Sequence, residues 1–189
     1  AMYANIASNH LRYGLLQTKL GMVTNFGPRI ENEAFGYFTH YPPLMPLLIT
    51  ASFAAFGVHE WAARLVPVLS SLALVYFCFL IAHKLMGWRA GVLTALFLTF
   101  SPMLIYYSKI PVHETVVLGF LGLTFWAYLN WYQTSLRRYF IFTFVGLILS
   151  QLTSWSGFYL SVYLPMHAFI FNRIFWRQHQ HQLLIIFSL

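Results

Sequence analysis

LVPVLSSLALVYFCFLIA, residues 65–82, runs for eighteen residues without a charged side chain. As a helix rising 1.5 Å per residue it covers roughly 27 Å, close to the ~30 Å hydrocarbon core of a bilayer. Comparable runs follow at 90–107, 114–132, 139–154 and 157–172, and another begins near 183. Short turns separate them. The recurrence predicts an all-α fold, a polytopic bundle of transmembrane helices. Composition agrees: 59% of the 189 residues are hydrophobic, 20% are aromatic and only 8% are charged, against roughly 25% charged in soluble domains. So little charge cannot cover the surface of a soluble globule.

The turns between the runs set the orientation. Lys84/Arg89, Arg137/Arg138 and Arg173/Arg177 occupy every second turn, and the turns between hold only Lys109. Basic turns face the cytoplasm. Upstream, Leu44 to Phe56 is apolar, entered through Pro42-Pro43 and left at Gly57. It would rise only roughly 20 Å as a helix, too short to cross, so it reads as an interfacial or re-entrant helix. Residues 1–64 then form a first outer loop with interfacial helices, and 65–189 form the transmembrane part. Ala1 to Leu20 repeats apolar residues at helical spacing, and Gly21 to Tyr41 reads as loop. The start at Ala1 and the stop at Leu189 inside an apolar run read as a piece of a longer membrane protein.

Eleven Lys and Arg against four Glu give a net charge of +7. The cations are scattered singly or in pairs, so no nucleic-acid partner is expected. The Gln178-His179-Gln180-His181-Gln182 tract reads as a solvated loop. No P-loop, dinucleotide fingerprint, nucleophile elbow or cysteine-based metal spacing is present.

Five features could carry chemistry. Glu114 opens an apolar span after Pro111-Val112-His113, where a carboxylate either caps the helix through its dipole or serves a reaction at the membrane edge. His40-Tyr41 precedes the stiff Pro42-Pro43 step, as a plain helix entry or as two groups held over a cavity. Arg64 either snorkels to headgroups or clamps a phosphate. Lys109 shares the turn of Glu114. Ser154-Trp155 forms another outer turn, with Trp155 as an interface-belt residue or a sugar-stacking platform. Folding 43–57 back along the membrane would bring His40, Arg64, Lys109 and Glu114 to one outer cavity.

His40-Tyr41-Pro42-Pro43-Leu44, Phe56-Gly57 and Ala62-Ala63-Arg64-Leu65 together resemble the first outer loop of the polyprenyl-phosphate-dependent glycosyltransferases of the GT-C type. That group includes protein O-mannosyltransferases and lipid A aminoarabinose transferases. Ser108-Lys109 followed by Glu114 is similar to the Ser-Arg-x-x-x-x-Asp run of the mannosyltransferases, with Lys for Arg and Glu for Asp. The resemblance implies a GT-C-like bundle in a prokaryotic inner or plasma membrane. It implies transfer of a hexose or pentose from a polyprenyl-phosphate donor to a protein, lipid or glycan acceptor on the outer face. Glu114 and His40 would be catalytic, with a divalent metal ion between them should the reaction use one. Tyr3, Tyr41, Arg64, Lys109, Ser154 and Trp155 would bind substrate. The main catalytic Asp of such enzymes precedes a Tyr, Ala and Gly that Tyr3, Ala7 and Gly14 match, so it would stand before Ala1. His40-Tyr41 replaces the Glu-Lys pair of the aminoarabinose branch, and the Lys or Asp common near Ser154 is missing, so no particular sugar is implied. A transporter or lipid flippase is the rival class, although such proteins place ionisable groups near the bilayer midplane on broken helices and this chain, Pro165 and His167 apart, keeps its charges at the span ends.

The topology has a direct consequence. Cysteines placed at Thr39 and at Lys84 in intact cells should react with impermeant thiol reagents from opposite sides, and labelling of both from one side would overturn it.

Overall fold

The computed structural model describes residues 2–25 and 35–189; Arg29, Glu31 and Glu33 of the expected loop lie outside them. Helix α1 spans Met2–Tyr13. It ends at Gly14, whose φ of +88° is open to glycine and strained for other residues, so the helix stops well before Leu20 although the apolar spacing continues. The loop that follows contains one short antiparallel pair, β1 (Met22–Val23) and β2 (Tyr37–Phe38), with Met22 opposite Phe38. Helix α2 spans Leu44–Phe56 as expected.

Helix α3, Glu60–Met86, is 27 residues long and the one helix among the described residues that is long and apolar enough by itself to cross a bilayer. The run at 90–107 is not one straight helix. It is α4 (Trp88–Thr99) and α5 (Pro102–Ser108), which meet at 61°. Pro102 has no N–H to continue the ladder and its ring crowds the preceding turn, so the break falls there. Helices α6 (His113–Thr134), α7 (Arg137–Gln151) and α8 (Phe158–Phe171) follow, with a 3₁₀ turn at Trp155–Gly157 before α8.

The Gln178–Gln182 tract is not a loop. It lies within α9 (Arg173–Phe187), a helix kinked at His179. Phe175, His179, Leu183 and Ile186 recur at helical spacing, and the three apolar ones are buried. The His179 ring stacks on Phe175 at 4.4 Å and meets the buried Trp131 edge-on at 5.2 Å. The polar residues between them leave an amphipathic helix that runs back along α8, Trp176 against Phe169.

Helix α6 is the hub. Its neighbour α3 runs parallel to it and α7 antiparallel: Ser70 of α3 meets Gly119, Phe77 meets Gly122 and Lys84 bonds Asn130, while Thr124 of α6 meets Gly146 of α7. These small residues let helices approach at backbone distance, the packing that apolar surroundings favour. Two cores result. Around the start of α6, Tyr3, Ile6, Met45, Ile49, Phe53 and Ala62 pack with Val116. Around its end, Tyr128 and Trp131 pack with Leu147, Leu164, Phe175, Leu183 and Ile186. Many large apolar side chains face outward, Phe97 of α4 and Phe100 just after it among them, a surface suited to lipid.

A Cβ added at Gly119 would lie 2.9 Å from the Ser70 carbonyl oxygen, an atom of the backbone. Gly119→Ala should therefore force α3 and α6 apart and cost about 1–3 kcal/mol. Thermal unfolding in detergent checks this, and an unchanged midpoint would show that the two helices do not meet there.

Candidate active site

The start of α6 is where three distant segments are tied together. The segment after β2 is stitched to the turn beyond α7 by two hydrogen bonds: the Leu44 N–H donates to the Leu152 carbonyl at 3.0 Å, and the Trp155 Nε1–H donates to the His40 carbonyl at 2.8 Å. Between them the chain bends at His40 and Tyr41 and enters α2 through Pro43. This places the Tyr41 ring against that of His113, with centroids 4.2 Å apart. From the other side comes α1, seated by its buried His10, whose Nε2–H donates to the Gly21 carbonyl at 2.8 Å while Nδ1 lies 3.0 Å from Thr50 Oγ1. That seating brings the Tyr3 hydroxyl to 3.1 Å from His113 Nδ1.

Tyr3 is the hydrogen-bond partner of His113 Nδ1. Burial first, then the nearby Glu114 carboxylate and Tyr41, push the Tyr3 phenol up from 10.0 to about 12, so it keeps its proton at any ordinary pH. That proton can be donated to Nδ1, which leaves the His113 proton on Nε2. The Glu114 Oε2 atom is 3.9 Å from the same Nδ1, which then has no proton to offer it. Oε2 is buried and has no hydrogen-bond partner. A bare, half-sheltered carboxylate oxygen at a helix start is poised to accept a hydrogen bond or a proton from something else.

Beside this cluster lies a cleft of about 580 Å³ lined by Asn5, His59, Glu60, Arg64, Lys109 and Pro111, among others. Arg64 and Lys109 come to it from different helix ends and supply two positive charges. The Arg64 guanidinium is hydrogen-bonded to Glu60, one helical turn earlier. This exposed pair contributes little to stability but aims the guanidinium into the cleft.

The four groups expected in one cavity are therefore divided. Arg64 and Lys109 line the cleft. Glu114 borders a separate, smaller cavity between α5 and α6. His40 lines neither cavity: it is exposed, and its ring packs edge-on against Tyr41 at 5.0 Å. Tyr41 and His113 thus lie in the chain of contacts between His40 and Glu114, and the histidine beside Glu114 is His113. Its place between Pro111 and Glu114 was the only sequence signal for that role. Trp155 is 58% exposed, stacks on Phe158 at 5.7 Å and secures the His40 carbonyl. Ser154 is buried, and its Oγ accepts a hydrogen bond from Ser156 at 3.3 Å, so it serves the turn itself. Among the described residues no three His, Cys, Asp or Glu side chains stand close enough to hold a metal ion, and His40 and Glu114 do not come together as a pair of ligands.

Residues 40–189 match the family model described as dolichyl-phosphate-mannose-protein mannosyltransferase. The fold matches two crystal structures of ArnT from Cupriavidus metallidurans. The apo state superposes with a TM-score of 0.73 at 18% identity over 98% of this chain and 35% of that one. The state bound to undecaprenyl phosphate superposes with a TM-score of 0.77 at 19% identity over 98% and 34%. The chain thus spans about a third of the length of those proteins. No curated protein matches it in sequence.

The Tyr3 phenol is testable by titration. The fold favours its protonated form, so the stability it contributes is fully present below pH 10 and is lost as pH rises through about 12. The ultraviolet difference titration of wild type minus Tyr3→Phe should show one tyrosinate step near pH 12. A step near 10 would mean that the hydroxyl is open to water.

Proposed function

This chain belongs to the dolichyl-phosphate-mannose-protein mannosyltransferase family, and from that membership we propose that it forms part of a multi-pass membrane glycosyltransferase that moves a sugar from a polyprenyl-phosphate donor to an acceptor on the outer face of the cell membrane. The observation that carries the reading is the pairing, at one end of the bundle, of a doubly cationic cleft with an unpartnered carboxylate across a single turn. The reading takes residues 1–64 as the outer-face loop and 65–189 as the membrane part.

The donor's physics favours this arrangement. Its isoprenoid chain is lipid-soluble and its phosphate is not, so the phosphate must be held where helices end. Arg64 presents a planar fork that matches phosphate oxygens and stays charged near lipid, and Lys109 adds a second point charge. As the sugar–phosphate bond breaks, negative charge builds on the phosphate, and fixed cations stabilise it most at that stage. Glu114 receives the acceptor's proton. His113, held by Tyr3 and Tyr41, stands beside Glu114, while His40 stands at the rim. Trp155 offers an exposed ring for a sugar face. The same groups are poorly placed for a transporter, because the cations and Glu114 lie at helix ends.

Two variants of the full-length protein test the reading. Glu114→Gln should lower sugar transfer by about a hundredfold or more with membrane insertion unchanged. Arg64→Lys should raise the apparent donor KM and Arg64→Ala should raise it further, each loss of a charge-assisted hydrogen bond being worth about 1.5–3 kcal/mol. A snorkelling arginine would leave Arg64→Lys silent, and unchanged donor kinetics in both variants would overturn the phosphate site.

A further inference from the structure

A cavity of about 310 Å³ lies between the second half of α6 and α8, away from the donor cleft. Phe125, Leu129, Leu160, Met166 and Ile170 give it apolar walls, and His167 lines it among them. Ionisable side chains inside apolar spans are costly and commonly serve a ligand or a polar path, and nothing in the transfer reaction uses this one. The rings of Tyr128, Tyr132 and Phe171 stand around it at centroid distances of 5.7, 5.3 and 5.2 Å. Its Nδ1 is 2.8 Å from the Tyr128 hydroxyl, which also donates to the Leu164 carbonyl at 3.2 Å. A phenol has one proton and a carbonyl can only accept, so both bonds form together when Tyr128 donates to Leu164 and accepts from Nδ1–H. With that proton on Nδ1, Nε2 carries a lone pair. The buried His10 has partners on both ring nitrogens. His167 Nε2 has none among the described residues, and it is not sealed as Glu114 Oε2 is.

We propose that the α6–α8 cavity binds a single-chain lipid alcohol of the inner leaflet, such as a monoacylglycerol, whose hydroxyl donates to His167 Nε2 and whose hydrocarbon chain lies along the apolar walls. The site does not depend on the sugar-transfer reading; only its leaflet rests on the multi-pass topology. Its polarity sets the orientation of the ligand. His167 is four residues from the end of α8 at Phe171, roughly 6 Å. That is the basic end of the bundle, with Arg173 next along the chain and Arg137 and Arg138 at the start of α7. Leu160 lies seven residues the other way, roughly 10 Å from His167 along the helix. A head toward the basic end and a tail away from it is the posture of an amphiphile in the inner leaflet.

Other membrane-soluble molecules fit less well. An alkane or a methyl ester has no proton to offer Nε2. An ionised fatty acid is acceptor-only and sets its charge against a lone pair. A cationic amine can donate, but it enters against Arg137, Arg138 and Arg173 at that end of the bundle. The volume lies at the small end of ligand cavities, about 300–1,000 Å³, which suits a segment of one chain better than the paired chains of a phospholipid.

The test uses the full-length protein in lipid nanodiscs and two photoreactive lipids with the same diazirine-bearing acyl chain, a monoacylglycerol and the corresponding methyl ester. After irradiation, labelled residues are mapped by mass spectrometry. The monoacylglycerol should label the segments 125–129 and 160–171 that line the cavity, and the methyl ester about fivefold less, the fold-change of one hydrogen bond. His167→Phe keeps a ring in place and leaves Tyr128 its bond to Leu164, so the fold should survive while monoacylglycerol labelling drops about fivefold, to the level of the ester. An excess of dodecanol should compete with the monoacylglycerol, and dodecane should not. Circular dichroism and a monodisperse elution profile check that His167→Phe is folded; should that variant fail to fold, the comparison of the two lipids on wild type still decides. Equal labelling by both lipids, labelling indifferent to His167→Phe, or equal competition by dodecane overturns the proposal. So does an absence of labelling at both segments, which would mean that other parts of the full chain cover the cavity.

Discussion

Gly119 has no side chain, and the candidate site depends on that. With Gly122 it lets α6 lie against α3 at backbone distance, and Gly146 does the same for α7. Helix α6 is thereby fixed between a parallel neighbour, α3, and an antiparallel one, α7, and its first residues, His113 and Glu114, are held at a defined height. The loop helices α1 and α2 then pack on the ledge formed by the starts of α3 and α6, with Val116 in their common core. Were α6 free to slide by even part of a turn, Tyr3 and Tyr41 would lose His113. The packing of small residues deep in the bundle thus becomes the positioning of a histidine and a carboxylate at its end.

Charge at that end is arranged as carefully as shape. Glu60 already occupies the Arg64 guanidinium. A phosphate entering the cleft exchanges one anionic partner for another, so the gain is the difference between the two and not the whole interaction. Lys109 has no ion-pair partner among the described residues and supplies the surplus. Across the turn, the Tyr3 hydroxyl occupies the Nδ1 side of His113, the side that faces Glu114, and Glu114 Oε2 is left without a hydrogen-bond partner.

Much of this was legible from the chain. The uncharged runs marked the helices from 65 to 172, and Pro42-Pro43 and Gly57 marked the short helix between them. What failed did so for local reasons. The apolar spacing of 1–20 passes straight through Gly14, whose left-handed backbone ends α1. The run at 90–107 looked continuous because Pro102 is a single residue in an apolar setting. The polar string at 178–182 looked like loop because its composition outweighed the spacing of Phe175, Leu183 and Ile186, which only a buried partner such as Trp131 makes decisive. At the site, Glu114, Lys109, Arg64, Tyr3 and Tyr41 were visible as motif positions. The role of His113 was not, because it depends on a hydroxyl 110 residues away. The pairing of Glu60 with Arg64 was written in their four-residue spacing.

The unequal lengths of the helices bear on the lipid around them. Helix α3, with 27 residues, rises roughly 40 Å, whereas α7 and α8, with 15 and 14, rise only roughly 22 and 21 Å. On the multi-pass topology proposed above, a bilayer with a core of about 30 Å is amply spanned at the α3 flank and under-spanned at the α7–α8 flank. Lipid adapts to short spans by thinning. The protein would therefore stand in a sloping membrane, thick on one side and pinched on the other, and its activity would depend on the acyl-chain length of the lipids that surround it.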